Sequence, residues 1–120
     1  MPSAFRFDGF ELDAEQFALQ RDGRRVRIGS RTFDLLHHLV RNRNRVVAKE
    51  ELLDAVWGSH FVSDSALTTA LRSVRTVIGD SGDEQRLIRT VHGRGYQFVG
   101  AVEQVGASQR PPPGRQSIRY

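Results

Sequence analysis

The sequence predicts an α+β domain, with an antiparallel sheet at its N-terminal end, three helices, and a β-hairpin near its C-terminal end. Three observations predict it. Residues 5–28 contain short runs of period-two alternation broken by Asp-Gly pairs. Residues 30–78 switch to an apolar spacing of three and four. Residues 88–98 return to alternation on both sides of a glycine-rich turn. Period two places alternate side chains on one face of a strand, whereas spacings of three and four place them on one face of a helix.

In the first segment, Phe5 and Phe7 alternate around Arg6, Phe10 and Leu12 around Glu11, Phe17 with Leu19, and Val26 and Ile28 around Arg27. Asp8-Gly9 and Asp22-Gly23 stand between runs, and Asp-Gly is a strong hairpin signal. Three or four short strands are expected. In the first helix Phe33, Leu36 and Val40 form one stripe, widened by Leu35 and Leu39, with Gly29 or Ser30 at its start. The second helix spans Lys49 to Trp57. Glu50 and Glu51 suit its positive N-terminal end, Leu52, Leu53, Val56 and Trp57 form its apolar face, and Gly58 ends it. Ser63 or Asp64 opens the third, which runs to about Ile78 with Gly79 as its stop. Its buried stripe is Leu67, Leu71, Val74 and Ile78, and its polar face holds Ser65, Thr68, Thr69, Arg72, Ser73, Arg75 and Thr76. Asp80-Ser81-Gly82-Asp83 reads as a loop. The hairpin follows, turning on Gly93 and Gly95, with Tyr96 and Phe98 in the core beneath it. The domain is expected to span 1–102. Residues 103–120, with Pro111-Pro112-Pro113, read as a flexible tail or linker.

The 120 residues suffice for one domain with a core. Eighteen basic residues against 14 acidic give a net charge of +4, and Lys49 is the only lysine. Arginine pairs bidentately with phosphates and guanine edges, so the bias suits nucleic acid, and GC-rich codon usage would produce it equally well. There is no cysteine, which excludes disulfides and thiolate metal sites. No run approaches the roughly 20 apolar residues of a membrane span, and the first residues lack the apolar core of a signal peptide. The chain is expected to be soluble and cytoplasmic, with no membrane contact within these residues.

No acidic residue falls between Ser65 and Gly79, or between Arg86 and Phe98. A basic-faced helix followed by a hairpin tipped by His92 and Arg94 can grip a duplex at two places. Arg72 and Arg75 are candidates for phosphates or base edges, and Thr68, Thr69 and Ser73 for bases. Thr90 is a candidate phosphate donor or a partner across the hairpin. His92 and Arg94 suit a narrow, electronegative minor groove. A plain solvated surface is the alternative for each.

Strands, helix-turn-helix and hairpin together form a winged helix. Residues 47–57 (VAKEELLDAVW), 62–67 (VSDSAL), 71–75 (LRSVR) and 88–98 (IRTVHGRGYQF) resemble the DNA-binding effector domain of OmpR/PhoB-type response regulators, over roughly residues 5–100. The resemblance implies a winged helix-turn-helix with an N-terminal four-stranded antiparallel sheet, three helices and a C-terminal β-hairpin wing. It implies sequence-specific binding of double-stranded DNA in bacterial transcription regulation, with the third helix in the major groove and the wing in the minor groove. Ser65, Thr68, Thr69, Arg72, Ser73, Arg75, Thr90, His92 and Arg94 are the implied DNA-binding set. The loop from Gly58 to Val62 matches the one through which some members contact RNA polymerase, and tandem pairing on DNA is the family's habit. The chain departs from the pattern at Thr32, where a glutamate is usual, and at Ser65, Ala70 and Ser73, where many members carry larger basic or polar residues. No receiver domain precedes the effector domain in these residues, so no phosphoacceptor is assigned in a phosphorelay.

Other chemistry is not indicated. His37 and His38 point about 100° apart on a helix and lack a third ligand at suitable spacing, so no metal is expected. Gly93-Arg94-Gly95 lacks the third glycine and following helix of a dinucleotide site. No catalytic set and no cofactor are expected. Two other readings remain open: a winged-helix protein-interaction module, which should lose these arginines and expose an apolar patch, and the front-end domain of a larger regulator.

Overall fold

The structure, a computed structural model, describes residues 2–58 and 62–106. Four strands come first: β1 (Pro2–Phe7), β2 (Phe10–Asp13), β3 (Ala18–Arg21) and β4 (Arg24–Val26). Both Asp-Gly pairs make two-residue turns with positive φ at each position, Asp8 at 48° and Gly9 at 83°, Asp22 at 52° and Gly23 at 81°. That backbone matches the right-handed twist of the flanking strands. It sets the register, with Phe7 opposite Phe10 and Arg21 opposite Arg24. One face of the sheet then carries Phe5, Phe7, Phe10, Leu12 and Leu19, all buried.

The helices are α1 (Ser30–Arg41), α2 (Lys49–Trp57) and α3 (Asp64–Val77). The α1 residues Phe33, Leu35, Leu36, Leu39 and Val40 join the sheet's inner face in one core with Leu52, Trp57, Leu67, Leu71, Val74 and Ile78. Trp57 ends α2 as a core side chain, 9% exposed. Gly58, at φ 65°, stops that helix, and Gly79, at φ 76°, follows the end of α3. No helix among the described residues is long and apolar enough to cross a membrane.

The wing is β5 (Ile88–Val91) and β6 (Gly95–Phe98), joined by a turn that Arg94 N–H closes on the Val91 carbonyl at 2.9 Å. Val47, just before α2, exchanges two backbone hydrogen bonds with Tyr96, at 2.7 and 3.0 Å. This contact explains Gly95: its φ is 148°, and a Cβ there would collide with the Val47 carbonyl oxygen. Phe98 anchors the wing's base by an edge-on contact with Phe7, ring centroids 5.0 Å apart.

Two expectations are corrected. Phe17 is not part of a strand. The Asp13 carboxylate accepts hydrogen bonds from Glu15 N–H (3.0 Å) and Gln16 N–H (3.2 Å), so the chain turns before residue 17. Phe17 closes that turn at φ 50° and is 70% exposed. The main sheet also has five strands where four were expected. Residues 103–106, read as the start of the tail, form β7 (Glu103–Gly106), antiparallel to β1, in the order β4-β3-β2-β1-β7. Pairing with β1's available edge makes this strand. Val102 and Val105 are spaced three apart, so there is no alternation to signal it. The rest of the expected tail, residues 107–120, lies outside the described residues.

Candidate nucleic-acid interface

The exposed side of α3 is one continuous polar face. Ser65, Thr68, Thr69, Arg72, Ser73 and Thr76 are all exposed, at the three- and four-residue spacing that aligns them. Thr68 donates its hydroxyl to the Asp64 carbonyl at 3.2 Å, which leaves its oxygen free to accept. Arg72 forms no ion pair with any described residue. Between α3 and the wing runs a groove of about 460 Å³, lined by Thr68, Arg72, Arg75, Thr76, Thr90 and Tyr96 among others. His92 and Arg94 stand exposed on the wing tip. A second cleft of about 320 Å³ separates that tip from Lys49 and Glu50 at the head of α2.

Arg75 is the exception among the predicted site residues. It is not on the exposed face: the side chain is 9% exposed and its Nη2 donates to the Ile88 carbonyl (3.0 Å) and to the Thr90 hydroxyl oxygen (2.9 Å). Its Nε is buried without a hydrogen-bond partner among the described residues. Arg75 therefore clamps β5 to α3 from beneath the groove. The spacing signal was present, because residue 75 lies four after Leu71 and three before Ile78, on the margin of the buried stripe. Thr90 is half-buried, opposite Tyr96, and its oxygen already accepts from Arg75. Arginine cannot accept, so the Thr90 proton is left to point elsewhere.

Three residues have supporting contacts that local sequence does not signal. Asp80 sits in the loop before β5 and is 8% exposed. Its carboxylate accepts from the backbone N–H of Arg86 (2.7 Å), Leu87 (2.9 Å) and Ile88 (2.9 Å). Burial alone would raise its pKa, but the backbone donors together outweigh burial and hold it below the ordinary value. Asp80 thus fixes the chain where it enters the wing. Lys49 and Asp64 join the first residues of α2 and α3 by an ion pair of 2.8 Å. The hydrogen bond to Asp64 raises the Lys49 pKa. The pair neutralises Asp64, the acidic residue in the first turn of α3.

The two adjacent histidines part company. His37 packs its ring against Phe5 and Phe33, each centroid 6.1 Å away, and burial, then Arg41, lower its pKa. His38 meets Glu51 at 2.7 Å, and no group of metal-ligating side chains gathers among the described residues.

Residues 23–98 match the family described as "Transcriptional regulatory protein, C terminal". The transcriptional regulator HilA of Salmonella typhi is 33% identical over 94 residues, which are 78% of this chain and 17% of HilA. The chain thus spans about a sixth of that relative. Response regulator DrrB of Thermotoga maritima, described as an OmpR/PhoB homolog, superposes with a TM-score of 0.73 at 31% identity, over 82% of this chain and 45% of DrrB. The DNA-binding domain of CpxR from Escherichia coli gives a TM-score of 0.69 at 26% identity, over 80% of this chain and 95% of that one. Three helices, an antiparallel sheet and a C-terminal hairpin are common to these folds. The chain belongs to the OmpR/PhoB-type, winged-helix family of transcriptional regulatory protein C-terminal domains, a family of regulators and not of enzymes.

Proposed function

We propose that this domain binds double-stranded DNA sequence-specifically to regulate transcription, with α3 in the major groove and the wing in the adjacent minor groove. The observation that carries the reading is the face of α3. Six exposed polar side chains line it, no acidic residue falls between Ser65 and Gly79, and the groove it borders is closed on the other side by Thr90 and Tyr96 of the wing. A helix of 14 residues is about 21 Å long and fits a major groove about 12 Å wide. Likeness to the CpxR DNA-binding domain supports it.

In this reading Arg72 neutralises a phosphate or meets a guanine edge, while Ser65, Thr68, Thr69 and Ser73 present hydroxyls and threonine methyls to bases. Thr90 donates its hydroxyl to the backbone. His92 and Arg94 enter the minor groove, where potential is most negative over A-tracts. Arg75 acts from within, holding β5 at a set distance from α3. The protein-interaction alternative is disfavoured because, among the described residues, the large exposed apolar side chains are Phe17 and Val99, neither on α3 nor in a wing strand. RNA polymerase contact falls to the Gly58–Val62 loop, whose residues 59–61 lie outside the described structure.

A single winged helix buries on the order of 600–1,000 Å² on DNA and binds weakly alone. Tandem copies on direct-repeat half-sites about 10 bp apart, one helical turn, would place both on one face of the duplex. The test is a salt titration of binding to duplexes carrying one and two half-sites. Expected are affinity that falls steeply with salt and cooperative occupancy of the double site. Absence of binding at low salt, or binding indifferent to salt, overturns the proposal.

A further inference from the structure

The β3–β4 hairpin concentrates charge that the proposed DNA interface does not use. Arg21, Arg24, Arg25, Arg27 and Arg31 occur within residues 21–31, and Asp22 is the only carboxylate among them. Arg21 lies 4.0 Å from Asp22 and over the Phe10 ring, and Arg31 lies over Trp57. Arg24, Arg25 and Arg27 are exposed and form no ion pair with a described residue. Arg21 and Arg24 stand directly opposite each other, a like-charge cross-strand pair that costs stability.

The backbone there is also open. β4 ends the sheet order, and its outer edge pairs with no strand among the described residues. Against this edge lies a cleft of about 380 Å³, lined by Phe17, Leu19, Val26 and Ile28 with Arg25 and Arg27. Phe17 is 70% exposed and held at φ 50°, a conformation that a bulky side chain rarely adopts.

We infer that the β4 edge is a docking site for an extended protein segment in which acidic and apolar residues alternate. Such a segment adds as a sixth strand and meets the unpaired backbone groups of β4. Its side chains then alternate between faces. Carboxylates fall on the side of Arg25, which pairs with Gln20 on the outer face, and apolar groups on the side of Val26 and the Phe17 cleft. Short, charged edge strands guard against self-association, which accounts for the arginines but not for the exposed aromatic or the cleft. A nucleic-acid backbone would satisfy the arginines and leave the cleft unfilled.

The test uses a fluorescent heptapeptide, Glu-Val-Glu-Phe-Glu-Val-Glu, and a control peptide of the same composition with acidic and apolar residues in separate blocks. Binding is followed by anisotropy and mapped by amide chemical shifts on the full chain. The alternating peptide should bind in a salt-sensitive way, perturb amides within 17–28 and outperform the control. Arg25→Glu with Arg27→Glu should weaken it roughly tenfold or more. Phe17→Asn, which suits positive φ and gives up the ring's contact with Phe33 (centroids 5.9 Å apart), should weaken it several-fold while the unchanged amide spectrum beyond residues 13–33 shows the fold retained. Both variants should bind DNA as wild type. Lack of peptide binding, equal binding of the block peptide, or shifts confined to α3 and the wing would overturn the inference. So would a fall in DNA affinity in the charge-reversed variant, which would assign these arginines to DNA.

Discussion

Arg72 and Arg75 fall roughly 60° apart around α3, one exposed and the other 9% exposed. Arg72→Ala should leave stability within about 0.5 kcal/mol of wild type and reduce the salt slope of DNA binding by about 1. Arg75→Ala should do the opposite first. It strips donors from Ile88 and Thr90 and should cost about 1–3 kcal/mol in chemical denaturation. The reverse assignment of effects would mean that Arg75, not Arg72, is the outward cation. Trp57 belongs to the same scale. Its ring is core, so Trp57→Ala should cost about 3–5 kcal/mol and lose DNA binding through unfolding. A stable Trp57→Ala protein with selectively lost affinity would make the ring a DNA contact. The exposed residues of α3 could be read from helical spacing. Charge makes Arg75 a candidate for DNA, but its spacing is the better guide, because a long guanidinium can satisfy itself on buried carbonyl and hydroxyl oxygens. The role of Asp80 had no local signal, since its partners are backbone N–H groups six to eight residues later.

Between elements, the connection from α1 to α2 is held by Glu51, which takes Arg45 at 2.9 and 2.8 Å and His38 at 2.7 Å. The hydrogen bond from Arg45, then that from His38, lowers the Glu51 pKa from 4.5 to about 2. A folded-state value below the unfolded one means that the ionised carboxylate stabilises the fold above pH 4.5, and that this contribution is lost as pH falls towards 2. The group is partly exposed, so the contribution is only about 1 kcal/mol. Wild type should exceed Glu51→Gln by that margin in denaturant titrations at neutral pH, and the curves should converge in acid. Parallel curves across that range would remove the network from the stability account. The Asp-Gly turns were legible because their backbone demands those residues, and the helices because each buries a regular stripe. β7 was not legible. Its strand character comes from pairing with β1, some hundred residues earlier in the chain, and long-range pairing leaves little trace in local composition.

Taken as a whole, the molecule is a platform that holds a polar helix face and a cationic hairpin tip at a fixed separation. The wing is tied to α3 through Arg75, to the chain entering α2 through Val47, and to the α1–α2 connection by Gln97 Nε2, which donates to the Arg43 carbonyl at 3.0 Å. In the proposed binding mode, such bracing presents helix and wing to DNA together, so changes in one should not redirect the other. The most direct test of the account is selection of bound duplexes from a randomised pool by wild type, by Thr69→Ala with Ser73→Ala, and by Arg94→Ala. The α3 variant should change its preferred bases at a few adjacent positions, each worth about 1–3 kcal/mol. Arg94→Ala should keep the central sequence and lose the preference for flanking A-tracts. An identical preferred sequence and identical flanks from all three proteins would contradict the assignment of α3 to base reading and of the wing to the minor groove.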